Sequence, residues 1–315
     1  MSSVSSNWLS FAEDAVIERR GFMRELTAIS SAFLLPNGAV LGATKASQQR
    51  PICAFIKFIQ MLSYDEMARQ VADMGFDGIE STVRKGGHVL PERVEEDLPR
   101  QLEAVRNAGI DITMITTDVL RVDQPYTRKV LETAANVGIK KYRMGFYNYS
   151  QKRPIDAQLR EIRAAIVELA GLNRELGLSA VYQNHSGADY IGAPIWDICE
   201  VLKGVSSDEI GIAFDIRHAT IEGGLAWPLN YRRAKPHIRA YFVKDFDWNG
   251  RTDIHVPLGS GRVDPAYFSM LRETVDDYPV SLHIEYLEQA GVNENLAALR
   301  RDLAVLREML GKSST

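Results

Sequence analysis

The sequence predicts a single (β/α)8 barrel from about residue 52 to the C-terminus, and three observations carry that expectation. Short apolar runs alternate eight times with amphipathic segments of helical spacing. Gly75, Gly109, Gly138 and Gly177 each stand just after such a segment, where a helix commonly ends on a left-handed residue. Polar residues gather at the ends of the apolar runs and not at their starts. The chain of 315 residues, 45% hydrophobic and 25% charged, is long enough to bury such a core without metals or disulfides.

The elements follow in order. Residues 52–58 are the first β-rich run and 64–74 the first helix. Residues 78–82 are the second strand. The helix at 91–108 opens on Pro91, whose missing N–H is an orphan there anyway. The third strand, 111–117, leads to a helix at 126–137, and the fourth strand is 141–145. Residues 155–176 form a long helix with Leu159, Ile162, Ile166, Leu169 and Leu172 near one face. The fifth strand is 179–183, followed by a helix at 194–203. The sixth is 210–214, followed by a helical stretch at 228–235. After the seventh, 238–243, a long loop precedes a helix at 265–274, the eighth strand at 280–284 and a closing helix at 293–310. Several strands are continuous apolar runs, as expected where both faces are buried. An open doubly wound sheet is the alternative, but no Gly-rich dinucleotide turn follows the first strand.

Residues 1–50 read differently, so the domain division is 1–50 and 51–315. Arg19-Arg20-Gly21-Phe22 precedes a small, weakly hydrophobic stretch that ends near Ala46. This pattern predicts a twin-arginine export signal and a periplasmic protein. The other reading is an N-terminal extension of a cytoplasmic protein, since Glu18 stands where Ser or Thr is usual. No run of 18 apolar residues suggests a membrane span once such a signal is removed. The formal net charge of −4, with no basic block, argues against nucleic acid as partner. Cys53 and Cys199 lie in apolar runs and are expected to be buried thiols.

Function is expected where the polar residues fall. The strand ends carry Lys57 and Gln60; Glu80, Arg84 and His88; Thr116 and Thr117; Arg143 and Tyr147; Gln183-Asn-His-Ser-Gly187; Asp215-Ile-Arg-His218; Lys244-Asp245; and His283 with Glu285. Strand C-termini of a barrel converge on one mouth, so residues 200 positions apart can share a site. Of the six histidines only His237 precedes a strand, which puts it at the opposite end. Individually, Lys244-Asp245 could be an ion pair at the rim, His283 a hydrogen-bonded core residue and Arg143 an internal brace. As a set, buried charges are costly to keep without a role.

Six stretches carry a resemblance: Gly75-Phe-Asp-Gly-Ile-Glu80, Tyr182-Gln-Asn-His-Ser-Gly187, Phe214-Asp-Ile-Arg-His-Ala219, Val243-Lys-Asp245, Pro257-Leu-Gly-Ser-Gly261 and His283-Ile-Glu285. Over roughly residues 52–315 the chain resembles the xylose isomerase-like TIM barrel superfamily, the sugar phosphate isomerases and epimerases. That resemblance implies a carbohydrate partner and one divalent ion (Mg²⁺, Mn²⁺ or Zn²⁺). Its ligands would be a Glu ending strand five, an Asp ending strand six, a His on strand seven and a Glu on strand eight. Asp215 and Glu285 match. Gln183 stands at the strand-five position and Phe242 at the strand-seven position, so half the set is altered. Gln183 keeps a neutral carbonyl oxygen for a hard cation, and Phe242 cannot ligate.

The expected chemistry is proton abstraction beside a carbonyl, which needs a base, an electrophile and a dry mouth. Glu285 is the candidate base. Lys244 or His185 would polarise or protonate the carbonyl oxygen, and Asp215 would organise the electrophile. Lys57, Glu80, Arg143, His218 and His283 would position substrate oxygens. The candidate metal residues are Gln183, Asp215 and Glu285, with His185, His218 or His283 as substitutes. Gly259-Ser-Gly261 could present backbone N–H groups to a phosphate. The alternatives are a lyase or hydratase working by β-elimination, and a sugar-binding barrel without catalysis. A multi-zinc phosphodiesterase of the same fold is disfavoured by the acidic charge balance. The loop from residue 248 to 258 is expected at the mouth or at a contact within a homo-oligomer.

Overall fold

A computed structural model describes residues 50–311; the twin-arginine segment lies outside the described residues. The chain folds through β1 (Ile52–Phe55), α1 (Tyr64–Asp73), β2 (Gly78–Thr82), α2 (Val94–Asn107), β3 (Asp111–Thr116), α3 (Thr127–Asn136), β4 (Lys141–Arg143) and α4 (Ile155–Leu176). The second half runs β5 (Ser179–Gln183), α5 (Trp196–Val201), β6 (Ile210–Asp215), α6 (Ile216–Gly223), α7 (Trp227–Ala234) and β7 (Ile238–Val243). An antiparallel hairpin, β8 (Asp245–Asn249) and β9 (Thr252–Val256), then precedes α8 (Ala266–Glu273), β10 (Val280–Leu282) and α9 (Val292–Met309). The eight strands β1–β7 and β10 pair in parallel and close into a barrel, β10 lying between β7 and β1.

Local chemistry explains the boundaries. Ser63 caps α1 by accepting from the Glu66 N–H, the Ser-x-x-Glu pattern of a capped helix start. The four glycines anticipated as helix stops all have left-handed φ, from +66° at Gly177 to +91° at Gly138. Along the strands the side chains alternate. One set packs outward under the helices in the main core, and includes Ile79, Ile115, Phe214, Tyr241 and Leu282. The other set fills the barrel interior with Met114, Val181, Ala213, Ala240 and Phe242. This apolar plug is the floor beneath the mouth.

Two elements differ from expectation. The chain turns straight from β6 into α6, because the Asp215 side chain caps that helix by accepting from the His218 N–H. The long loop after β7 is largely the β8–β9 hairpin, whose Asn249-Gly250 turn places Gly250 at the positive φ (+64°) a tight hairpin needs. Cys53 and Cys199 are buried free thiols.

The lower rim is held by paired charges. Arg50 Nε donates to Asp276 Oδ1 at 2.7 Å, and the Tyr241 hydroxyl donates to the other oxygen of that carboxylate at 2.8 Å. Arg239 pairs with Asp208 at 3.1 Å, and Lys141 Nζ donates to the Arg239 carbonyl at 3.2 Å.

Candidate active site

Asp215, Lys244 and Glu285 meet at the upper rim. Lys244 lies two residues beyond the inward-facing Phe242, so it also faces in. Its Nζ donates to Glu285 Oε2 at 2.8 Å and lies 3.3 Å from Asp215 Oδ2. The lysine side chain is 3% exposed and Asp215 fully buried, while Glu285 is 16% exposed and reaches the cavity. Asp215 is fixed on all sides. Its Oδ2 accepts from Gln183 Nε2 at 2.7 Å, and the Asn184 amide clamps its backbone N–H and C=O at 2.8 and 3.0 Å. Burial works against the Glu285 carboxylate, but Lys244 and then His283 outweigh it and hold its carboxyl well below the usual range.

Below them His283 is sandwiched between the rings of Phe55 and Phe242, at 4.4 and 4.6 Å. Its Nε2 contacts Glu80 Oε2 at 3.1 Å, and its Nδ1 lies 3.9 Å from Glu285 Oε1. Burial opposes an imidazolium here, yet the neighbouring Glu80 charge raises the His283 pKa. Glu80 is fully buried, and its oxygens are taken by the Thr116 and Ser281 hydroxyls and by His283. The expectation that Glu80 binds substrate is therefore corrected. It lines neither mouth cavity and instead positions His283.

Arg143 Nη1 donates to Gln183 Oε1 at 3.1 Å, and its guanidinium lies 4.7 Å from the Phe146 ring centroid. Burial pushes the guanidinium down to about 10, with Glu80 resisting. Gln183 thus spends its carbonyl on Arg143 and its amide on Asp215. His185 donates through Nδ1 to the Ser186 carbonyl at 2.8 Å, which leaves Nε2 as the lone-pair nitrogen of the neutral ring. Burial, helped by Lys244, lowers its pKa. The His218 ring lies 3.9 Å from it. Ser186 Oγ and Arg217 Nη1 both approach His218 Nδ1, at 2.8 and 3.2 Å, so that ring also stays neutral, its pKa driven well down by burial and Lys244.

Two cavities open here and share His185 and Glu285. An inner one of about 140 Å³ is lined by Lys57, Arg84, Arg143, Gln183, Lys244 and His283, among others. An outer one of about 430 Å³ is lined by His218, Arg217 and the hairpin residues Trp248, Asp253 and His255. Together they match the size of small-molecule sites. A larger cavity of about 520 Å³ lies beside Arg121 and Ile162, where the charges pair with each other at the surface, and it holds none of these groups.

The structure brings together Glu285, Lys244, His185, Arg143, His218, His283, Gln183 and Asp215, with Lys57 at the inner cavity and 3.5 Å from Glu288. Sequence reasoning placed Arg84 after the second strand without giving it a role, and did not single out Phe55, Phe146 or the hairpin's His255, whose Nε2 lies 3.6 Å from Glu285. The only signal for His255 was the loop expected at the mouth. His88 turns away, between the Leu62 carbonyl and Gln101. Lys244 and Asp245 do not pair. Asp245 faces the other way and accepts from the backbone N–H groups of Gly259, Gly261 and Val263 at 3.0 Å each. The N–H groups considered for a phosphate are therefore occupied by the protein's own carboxylate.

The residues present do not fit a divalent ion. Gln183 turns its carbonyl oxygen to Arg143, Phe242 has no donor atom, and Lys244 Nζ stands between the two retained carboxylates. Among the described residues no three His, Cys, Asp or Glu side chains group so as to hold a metal.

A family model described as xylose isomerase-like TIM barrel matches residues 68–309. No curated protein sequence matches the chain significantly. Solved structures similar in fold include 3-keto-D-glucoside 4-epimerase YcjR from E. coli, at 17% identity and TM-score 0.64, covering 82% of this chain and 100% of that one. The probable 3-DHS dehydratase AsbF from Bacillus anthracis is similar at 17% identity and TM-score 0.60, covering 82% and 98%. A xylose isomerase-like TIM barrel protein from Mycobacterium smegmatis, in complex with magnesium, is similar at 16% and TM-score 0.58, covering 84% and 99%.

Proposed function

The chain belongs to the xylose isomerase-like TIM barrel family, and from that premise we propose that it is a carbohydrate-modifying enzyme that removes a proton beside a carbonyl. The observation that carries this reading is the convergence of Glu285, Lys244 and His185 on one partly enclosed cavity. Glu285 is held ionised and takes the proton from the carbon next to the carbonyl. The electron pair moves onto the carbonyl oxygen. A carboxylate of depressed pKa is a weak base, but the charge it gives up reappears on an oxygen beside the same ammonium, so Lys244 keeps an anionic partner throughout. His185, neutral with Nε2 free, is placed to take or return a proton on another side of the substrate. Arg143, Arg84 and Lys57 would hold substrate oxygens, and His283 would orient Glu285 from below.

Return of the proton to carbon gives isomerisation or epimerisation. Expulsion of a β-oxygen gives elimination instead, and the outer cavity favours keeping this second reading. It opens beside Glu285 and offers a leaving group a place, with Trp248 as an exposed ring on its wall. If residues 1–50 direct export, glycosides are more fitting substrates than sugar phosphates. The test is deuterium wash-in from D2O, followed by NMR over a panel of keto-sugars and keto-glycosides, with product analysis to separate isomer from alkene. Glu285→Gln should lose about 10²–10⁴-fold of exchange; full exchange in that variant would remove the proposal.

A further inference from the structure

We propose that the Lys244 ammonium takes the place of a divalent cation in this barrel, so that the wild-type mouth binds no Mg²⁺, Mn²⁺ or Zn²⁺. Four observations converge. Nζ lies 2.8 Å from Glu285 and 3.3 Å from Asp215, between the two acids a metal would need. Both Asp215 oxygens already accept N–H donors, Oδ1 from the His218 backbone and Oδ2 from Gln183. A carboxylate oxygen keeps a second lone pair after accepting one donor, but at Oδ2 the Lys244 ammonium, 3.3 Å away, stands where a metal ion would use it. Gln183 has its donor end toward Asp215 and its acceptor end toward Arg143, an orientation that presents no oxygen to a cation at that point. Phe242, in register with Asp215 on the neighbouring strand, fills the fourth position with a ring packed on His283.

These features fit a monovalent, hydrogen-bonding cation supplied by the chain itself better than a divalent ion. A divalent ion at ligand distance from Asp215 and Glu285 would meet the ammonium in a site with little solvent to screen the repulsion. The lysine also offers what a metal ion does not. It can donate a proton to the enediolate oxygen as the O–H bond forms and take it back when the carbonyl is restored. The inference rests on the proposed reaction for what the cation does, but not for whether a metal binds.

The test uses the full chain and Mn²⁺ or Zn²⁺ alone. Equilibrium dialysis and Mn²⁺ electron paramagnetic resonance should find no stoichiometric binding to the wild type. The triple variant Gln183→Glu, Phe242→His, Lys244→Ala, if folded by circular dichroism, should gain one Mn²⁺ per chain. Stoichiometric binding to the wild type that is lost in Asp215→Asn overturns the inference, as does a folded triple variant that binds none. Where the triple variant does not fold, the wild-type measurement decides alone. Chelator treatment of the wild type should leave deuterium exchange unchanged. Absence of any exchange on the whole panel, with the metal results as expected, counts against the proposed reaction and leaves the lysine's place intact.

Discussion

The two ends of this barrel carry similar residues and use them oppositely. At the lower rim most of the buried charge is paired: Arg50 and Tyr241 share Asp276, and Arg239 takes Asp208, while Lys141 has a backbone carbonyl and His237 Nδ1 no hydrogen-bond partner among the described residues. At the mouth, Arg217 Nε, His218 Nε2, His255 Nδ1 and His283 Nδ1 are buried without a hydrogen-bond partner among the described residues. The Arg84 side chain faces the inner cavity and makes no hydrogen bond or ion pair among the described residues. Buried polar groups are normally satisfied, so an end that leaves several unsatisfied is arranged for something that arrives. Charge and burial alone do not separate structure from function here; partner accounting does.

That contrast breaks most readily at Asp276. Asp276→Ala should destabilise the fold by about 3–5 kcal/mol, because the part-buried Arg50 loses this carboxylate and Tyr241 its acceptor. In a domain of this size that is on the order of 10 °C in thermal midpoint. Calorimetry of the purified variant checks it, with activity per folded molecule unchanged. A loss under 1 kcal/mol would mean the lower-rim pairs are not structural in the sense argued.

Lys244 is the mouth residue that behaves most like the lower rim. Lys244→Met should cost about 2–4 kcal/mol, less than Asp276→Ala, since Glu285, which reaches the cavity, can take up a proton once the ammonium is gone. Lys244→Met combined with Glu285→Gln should recover about 1–3 kcal/mol, a coupling expected only of direct partners. Chemical denaturation of the wild type, both singles and the double gives the cycle; strict additivity would remove the pairing.

Most of the fold was legible because it rests on local signals: apolar period, Pro91 opening a helical turn, and glycines at left-handed stops. The mouth was legible as a location, since strand ends converge whatever their residues. The partners were not. That Gln183 turns its amide toward Asp215, or that Glu80 lies one layer too deep to touch a ligand, depends on rotamers and inter-strand register. The α6 helix was missed because its cap is Asp215, a residue already assigned to chemistry. The Gly259 and Gly261 N–H groups were read as an anion site correctly in kind. Their anion is Asp245, placed there by alternation after Lys244.

Lys141 sharpens the contrast at the lower rim, where it is the least well paired cation. Burial, reinforced by Arg239, lowers its pKa from 10.5 to about 8. Below about pH 8 both folded and unfolded chains carry the proton, and the fold bears the full cost of the buried charge. Between about 8 and 10.5 the native lysine has shed its proton while the unfolded one keeps it, so this residue's contribution grows more favourable as pH rises. Lys141→Met should therefore be more stable than wild type at pH 7, by on the order of 1–2 kcal/mol. Its advantage should shrink between pH 8 and 10.5. A pH-independent difference would show that Lys141 is ordinary.

Arg84 gives the smallest expected stability effect and the most direct probe of why a charge is kept. It raises the cost of the neighbouring Arg143 charge, and no carboxylate among the described residues pairs with it. Arg84→Leu should leave stability unchanged or improve it by up to about 0.5–1 kcal/mol, as expected when a functional residue is removed. Substrate turnover should fall mainly through a higher KM, because the interaction lost is one of binding and not of the proton-transfer step. Arg143→Leu is the control. It strands the Gln183 carbonyl and should cost about 1–3 kcal/mol. If Arg84→Leu destabilised as much as Arg143→Leu, its charge would have an internal partner after all, and the distinction between the satisfied and unsatisfied ends of the barrel would fail at the residue where it is cleanest.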